Sequence, residues 1–215
     1  MKIRTVAATL LTTALLGTVA AVPAQAAPGD QPLGNRSLAE VLTSDGNQFD
    51  RNAGDYDILT EAVLAVLAAK PDSPVSVLAD GDVALTAFVP NDLSFRLLAK
   101  DLTRKWQFGS ESDVFNTLVD AVGVDAIEQV LLYHVVPGAT IDSGTALRSD
   151  NAALTTAQGA SVTVDVVFPR FKIVRLKDND RNDVDPFLDP TALDINKGNK
   201  QIAHGIFLVL RPLDL

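Results

Sequence analysis

Thr86-Ala87-Phe88-Val89-Pro90-Asn91-Asp92-Leu93-Ser94-Phe95 carries a change of backbone period. Leu85 to Val89 is a short apolar run and reads as a buried strand. Pro90 ends it, because proline has no N–H with which to extend a ladder. Asn91 or Asp92 then caps a helix carrying Phe95, Leu97, Leu98 and Leu102, and the Asp92 carboxylate is a suitable acceptor for the orphan N–H groups of the first turn. Strand, stop and helix are written into one short stretch.

Outward from there, Ile58, Ala62, Val66 and Ala69 recur at three- and four-residue spacing, with Leu59, Val63 and Leu67 widening the stripe. The spacing predicts a helix over 57–69 that ends before Pro71. Ser37 with Glu40 makes a capping box for a short helix, and residues 27–36, rich in Pro and Gly, read as a flexible lead-in. Val114 to Val122 predicts a further helix, and Asp125 with Glu128 caps the next. The second half changes period. Val162, Val164 and Val166 alternate with Thr163 and Asp165, and Phe171–Leu176 and Ile206–Leu210 follow as β-branched and aromatic runs read as strands. Helices first and strands later imply an α+β fold with one shared core.

Residues 1–26 have the marks of a signal peptide. Lys2 and Arg4 precede an uncharged stretch, Thr5 to Val22, and Ala24-Gln25-Ala26 supplies a small-x-small cleavage pattern. A transmembrane anchor is the alternative, but the many Ala and Thr residues make the run only modestly hydrophobic. Removing Lys2 and Arg4 with the leader leaves 16 basic against 27 acidic residues, a net charge of −11. With no Cys there is no site for a lipid-modified N-terminal cysteine, and Leu210-Arg211-Pro212-Leu213-Asp214-Leu215 is no apolar anchor. The expectation is a secreted, extracellular protein with no membrane anchor after cleavage.

The 215 residues, 47% hydrophobic and 21% charged, suffice for one globular domain. Net charge −9 argues against a nucleic-acid partner, since that affinity comes chiefly from clustered Lys and Arg. Two His and no Cys exclude a zinc finger, an iron–sulfur centre, a thiol nucleophile and a disulfide framework. There is no Gly-x-Ser-x-Gly elbow. A three-His metal site is impossible, and a mixed His–carboxylate site stays open.

Three separated segments resemble the fasciclin-like domain. Thr86 to Phe95, with Thr86, Phe88, Pro90, Asp92 and Phe95 at the matching positions, is similar to that family's Thr-x-Phe-x-Pro-x-Asn-x-Ala-Phe box. Leu132-Tyr133-His134-Val135-Val136-Pro137-Gly138 is similar to its Tyr-His-Val-Val-Pro-Gly segment. Ile202-Ala203-His204-Gly205-Ile206, closing through Val209-Leu210-Arg211-Pro212, resembles its terminal box. Asp92 stands where the family has Asn, Ser94 where it has Ala, and the family's Asn-Gly turn falls on Lys200-Gln201. Order and spacing agree over nearly all of 37–212, so the domain is placed at 37–215. The resemblance implies a wedge of two β-sheets with helices along one edge, and a module of extracellular adhesion and matrix proteins without enzymatic activity.

Tyr133 and His134 match a pair that, in animal relatives, lies in a segment credited with integrin binding. They are the partner-binding candidates, although a core histidine donating to a backbone carbonyl is the simpler reading of His134, and of His204. No residue is assigned a catalytic role. The acidic run Lys177 to Asp189 places Asp178, Asp180 and Asn182 at alternate positions, with the Val184 carbonyl and Asp189 completing a pattern like an EF-hand loop. A solvated acidic loop is the simpler reading, because Asp183 replaces the turn glycine and a short Asp closes the loop. No cofactor is obligatory, and Ca²⁺ is the one candidate.

These readings converge on a secreted binding module whose partner is a cell-surface or matrix protein or glycan. The alternative is a small-ligand carrier or enzyme using a cleft between sheet and helices. Mass spectrometry of exported protein is expected to find Ala27 at or near the N-terminus, and Met1 retained on membrane-bound material would overturn the secretion argument.

Overall fold

The computed structural model describes residues 32–44, 46 and 48–213, so the leader at 1–26 and residues 27–31 of the lead-in lie outside the described residues. Helix α1 (Leu38–Leu42) is opened by a complete Ser37–Glu40 capping box. Helix α2 (Asp57–Ala69) follows, then a 3₁₀ segment (Pro74–Ala79) and strand β1 (Leu85–Pro90). Helix α3 (Asp92–Thr103) leads to α4 (Glu111–Tyr133), which is kinked at Gly123 with φ 76°. Then come β2 (Val135–Pro137), α5 (Ser143–Ala146), β3 (Ala153–Thr155), β4 (Ser161–Phe168), β5 (Ile173–Lys177) and β6 (Gln201–Ile206).

The strands form two sheets, β2-β1-β6 and β3-β4-β5. β1 pairs antiparallel with β2 and parallel with β6, while β4 pairs antiparallel with both neighbours. Helices and two small sheets make an α+β fold. Single bridges, Arg175 with Phe187 and Leu188 with Ile206, stitch β5 to β6 through the segment between them. Two apolar clusters result. Leu85, Ala87 and Val89 face α2, α3 and α4, whereas Phe88 joins Tyr133, Val162, Val164, Val174, Leu176 and Ile206 between the sheets.

Four expectations need correction. Asn91, not Asp92, caps α3, accepting from Ser94 N at 3.1 Å, and the Asp92 carboxylate instead accepts from Ile58 N, capping α2 from outside. Glu128 takes no part in a capping box, because Lys70 Nζ at 2.6 Å and Ser73 Oγ at 2.5 Å claim its oxygens. The last strand is Gln201–Ile206, so Ile206–Leu210 is no strand: the chain leaves the ladder at Phe207, and Leu210 is buried as irregular backbone. Likewise β5 begins at Ile173, since Phe171 belongs to a 3₁₀ turn.

Residues 34–36 are tied down rather than free. Gly34 N donates to Gly198 O and its carbonyl accepts from Lys200 N. Asn35 passes so close to Gly81 that a Cβ there would lie 1.7 Å from its carbonyl oxygen. Gln201, fully buried, locks this corner: its Oε1 accepts from Leu38 N, and its Nε2 donates to Val77 O and Asp80 O. Replacing Gln201 by Leu strands one donor and two acceptors, and is expected to cost roughly 3 kcal/mol in urea unfolding. A midpoint equal to wild type would refute this clamp.

Candidate functional site

The two histidines are held in opposite tautomers by backbone groups. His134 follows α4, and its Nδ1 lies 2.7 Å from Val130 O while Nε2 accepts from Leu210 N at 2.9 Å. The proton therefore sits on Nδ1. His204 on β6 accepts at Nδ1 from Asp194 N and donates from Nε2 to Ile141 O at 2.8 Å. Burial depresses both pKa values, that of His134 to about 4. Tyr133 is fully buried and donates to Ser161 O at 3.0 Å, with its pKa raised chiefly by burial. As a partner-facing pair, Tyr133 and His134 need correction: at 0% and 4% exposure neither reaches a partner's surface. Their apolar flanks put them in the core.

The other box residues serve the frame. Thr86 Oγ1 donates to Ala139 O and accepts from Ile141 N, fixing the chain after β2. Phe88, Pro90 and Phe95 are buried, and Pro137-Gly138 turns the chain, with Gly138 at φ 79°. Asp92 is different. One oxygen caps α2, the other has no donor, and burial raises its pKa to about 8 against the pull of the Ile58 N–H.

The acidic loop folds around a cation of its own chain. The Arg211 guanidinium lies 2.5 Å from Asp183, 3.3 Å from Asp180 and 2.9 Å from Asp101, and Arg211 N donates to Asp178 Oδ2. Asp180 N and Asn182 N donate back to Asp178 and Asp180, so these side chains close local turns. Val184 is exposed, and Asp189 turns away to accept from Thr191 N and Oγ1. Asp178, Asp180, Asn182, Val184 and Asp189 are therefore not gathered as one coordination set. Burial raises Asp178 to about 6.

A groove that the sequence reading missed opens beside the start of α3 and α4. Its volume is about 930 Å³, and Phe49, Arg51, Arg96 and Phe108 help to line it. Phe108 is 88% exposed and stacks on Trp106, itself 56% exposed, at 6.3 Å. Lys100 Nζ lies 4.9 Å from the Trp106 ring centre, within cation–π range. Arg96 fixes the loop by donating to Gly109 O at 2.8 Å. The available signal was Trp106-Gln107-Phe108 itself, the only Trp of the chain set among polar and Gly residues where no helix or strand period would bury it. Inside the helical layer, by contrast, the cavity under Phe95 and Leu131 measures about 40 Å³. Ligand pockets are typically ~300–1,000 Å³.

The helical layer is tightly filled, and the groove at its surface is lined by aromatic, basic and acidic side chains. Residues 59–184, more than half of the chain, match the Fasciclin domain, and the chain belongs to that family of adhesion-related modules. No curated protein sequence matches it. Among solved structures it is similar to a FAS1 domain pair from the insect cell adhesion molecule Fasciclin I, at 14% identity and a TM-score of 0.48. The likeness covers 71% of this chain and 46% of that one, so the chain spans about half of the domain pair. Among the described residues, no helix is long and apolar enough to cross a membrane.

His134 sets a pH dependence. Between about 4 and the ordinary 6.5 the unfolded chain binds a proton that the folded chain refuses, so this contribution is complete above 6.5 and is lost as pH falls toward 4. The full span corresponds to about 3 kcal/mol. Asp178, raised by burial, works in the opposite direction, its contribution lost as pH rises through about 6. The comparison is therefore wild type against His134→Gln, which keeps a donor and an acceptor but does not titrate. Unfolding from pH 7 to 4 is expected to show a shallower loss in the variant, and identical slopes would refute the buried neutral imidazole.

Proposed function

We propose that the chain is a secreted, non-catalytic binding module of cell-surface or extracellular-matrix adhesion, and that its docking face is the groove beside Trp106 and Phe108. The observation that carries this is the exposure of two stacked aromatic rings on a loop held by Arg96. Isolated apolar residues are common on surfaces, but Phe49, Phe108, Arg51 and Arg96 lining one concavity, with Trp106 stacked on Phe108 at its edge, have the composition of a protein-interface anchor. Arg51, Arg104 and Lys105 are exposed nearby on a chain whose net charge is −9, which favours a partner protein with an acidic contact face. The family and the leader read at 1–26 support the extracellular setting. The carrier or enzyme alternative draws no support from the interior, where the cavity of about 40 Å³ would hardly admit more than a solvent molecule.

Attachment of cells to surfaces coated with the protein provides the test. Trp106→Ala and Phe108→Ala are each expected to weaken attachment by about tenfold or more, the cost of truncating a hot-spot aromatic. Their melting temperatures are expected to stay near wild type, because both rings are already largely in water. Full attachment by both variants would remove this face from the account, and attachment lost on glycosidase treatment of the cells would make the partner a glycan instead.

A further inference from the structure

Among the described residues, three buried side-chain oxygens or nitrogens lack a hydrogen-bond partner: Asp55 Oδ1, Asp92 Oδ2 and Glu111 Oε1. They fall in one place. Asp55 lies in the loop before α2, Asp92 opens α3 and Glu111 opens α4, and an oxygen from each lies within 4.8 Å of the other two. Asp92 and Glu111 are both at 0% exposure. Buried polar atoms are almost always paired, so three unpaired carboxylate oxygens side by side call for a cation or a proton held among them.

The rest of the arrangement holds these carboxylates in position. Asp92 Oδ1 accepts from Ile58 N at 3.1 Å, and Glu111 Oε2 accepts from Asp50 N at 2.5 Å. Each therefore spends one oxygen on a backbone N–H and turns the other to the shared space, as ligands fixed by outer hydrogen bonds do. Asp92 N donates to Asp55 O and Leu93 N to Ala53 O, which lays the Asp55 loop across the start of α3. The nearest basic group with a contact here is Arg96, whose Nη2 stands 3.6 Å from Glu111 Oε1, while its Nη1 is committed to Gly109 O. One guanidinium at that range does not answer three carboxylates. Asp50 and Asp57 also approach Asp55 within the same limit, so the acidic field extends into the loop.

We propose that Asp55, Asp92 and Glu111 bind one hard divalent cation. The donors are all carboxylate oxygen, with no His or Cys, which selects Ca²⁺ or Mg²⁺ over softer metals. Ca²⁺ is the better fit, because it accepts irregular geometry and longer bonds, whereas Mg²⁺ sheds its water reluctantly. Oxygens at ~2.3–2.6 Å from a central Ca²⁺ span separations up to those found here. The site is distinct from the acidic loop at 178–189, where the Arg211 guanidinium already pairs with Asp180 and Asp183. A bound ion would pin the loop from Asp50 to Asp57 against the starts of α3 and α4.

Chelator-treated protein titrated with CaCl₂ and, separately, MgCl₂ tests this by calorimetry and thermal melting. One Ca²⁺ per chain is expected, with a rise of several degrees in melting temperature and a weaker response to Mg²⁺. Tryptic cleavage after the exposed Arg51 should slow when Ca²⁺ is added. Asp92→Asn keeps the acceptor for Ile58 N and removes one charge, so it should fold and lose the Ca²⁺ response. Glu111→Gln provides the same comparison on another helix if the first variant folds poorly. Asp180→Asn should keep the response. A wild type that melts alike in chelator and in millimolar Ca²⁺ or Mg²⁺ would overturn the site and leave a shared proton as the neutralising species. A response abolished by Asp180→Asn but kept by Asp92→Asn and Glu111→Gln would move the ion to the acidic loop and equally overturn it.

Discussion

Both apolar clusters are built on β1, because every residue from Leu85 to Pro90 is buried. Its alternation works as a partition: Leu85, Ala87 and Val89 belong to the helix side, and Phe88 to the space between the sheets. A strand covered on both faces needs ladder partners on both edges, and β2 and β6 provide them, one antiparallel and one parallel. The parallel partner must come from far along the chain, since parallel pairing needs a long crossover. That requirement places every element from α3 to β5 between the two paired strands. The strand has to end where the helix layer begins, and Pro90 with the Asn91 cap makes that transition in two residues.

The histidines close the wedge where ladders run out. After Ile206 the chain has no strand partner, yet Leu210 is fully buried, so its N–H needs an acceptor away from water. His134 Nε2 supplies one, and Nδ1 in turn satisfies the carbonyl of Val130 near the end of α4. A charged imidazole would carry a second N–H pointed at a donor. Burial and geometry thus agree on the neutral ring. His204 does the equivalent work between β6 and the segment before α5, using the other tautomer.

Local punctuation was legible and long-range pairing was not. The strand, Pro90 and the helix after it could be read because each signal lies within a few residues of what it controls. The run Ile206–Leu210 misled because apolarity reports burial, not ladder pairing, and here an irregular segment is buried by a histidine more than seventy positions away. Asp178, Asp180 and Asn182 suggested a cation loop through their spacing, but the charge that answers them sits on Arg211, which no local pattern connects to them. Asp55 and Glu111 were invisible for a related reason. An acid just before a helix or in its first turn is an ordinary helix-end residue, and its convergence with two others depends on three helix starts meeting.

An acidic chain must dispose of its carboxylates, and three buried or half-buried groups do so differently. Glu128 is matched by Lys70 and Ser73, and Asp178, Asp180 and Asp183 by Arg211 and its backbone N–H. The group around Asp92 lacks such a match. An Asn in the place of Asp92 is the informative comparison. An amide oxygen would cap α2 at Ile58 as well as a carboxylate oxygen does, and its NH₂ would give Asp55 a donor. The cap therefore does not require a charge at this position. What the acid adds is a third oxygen beside Asp55 and Glu111, in a buried place where like charges repel strongly unless a cation or a proton is held among them.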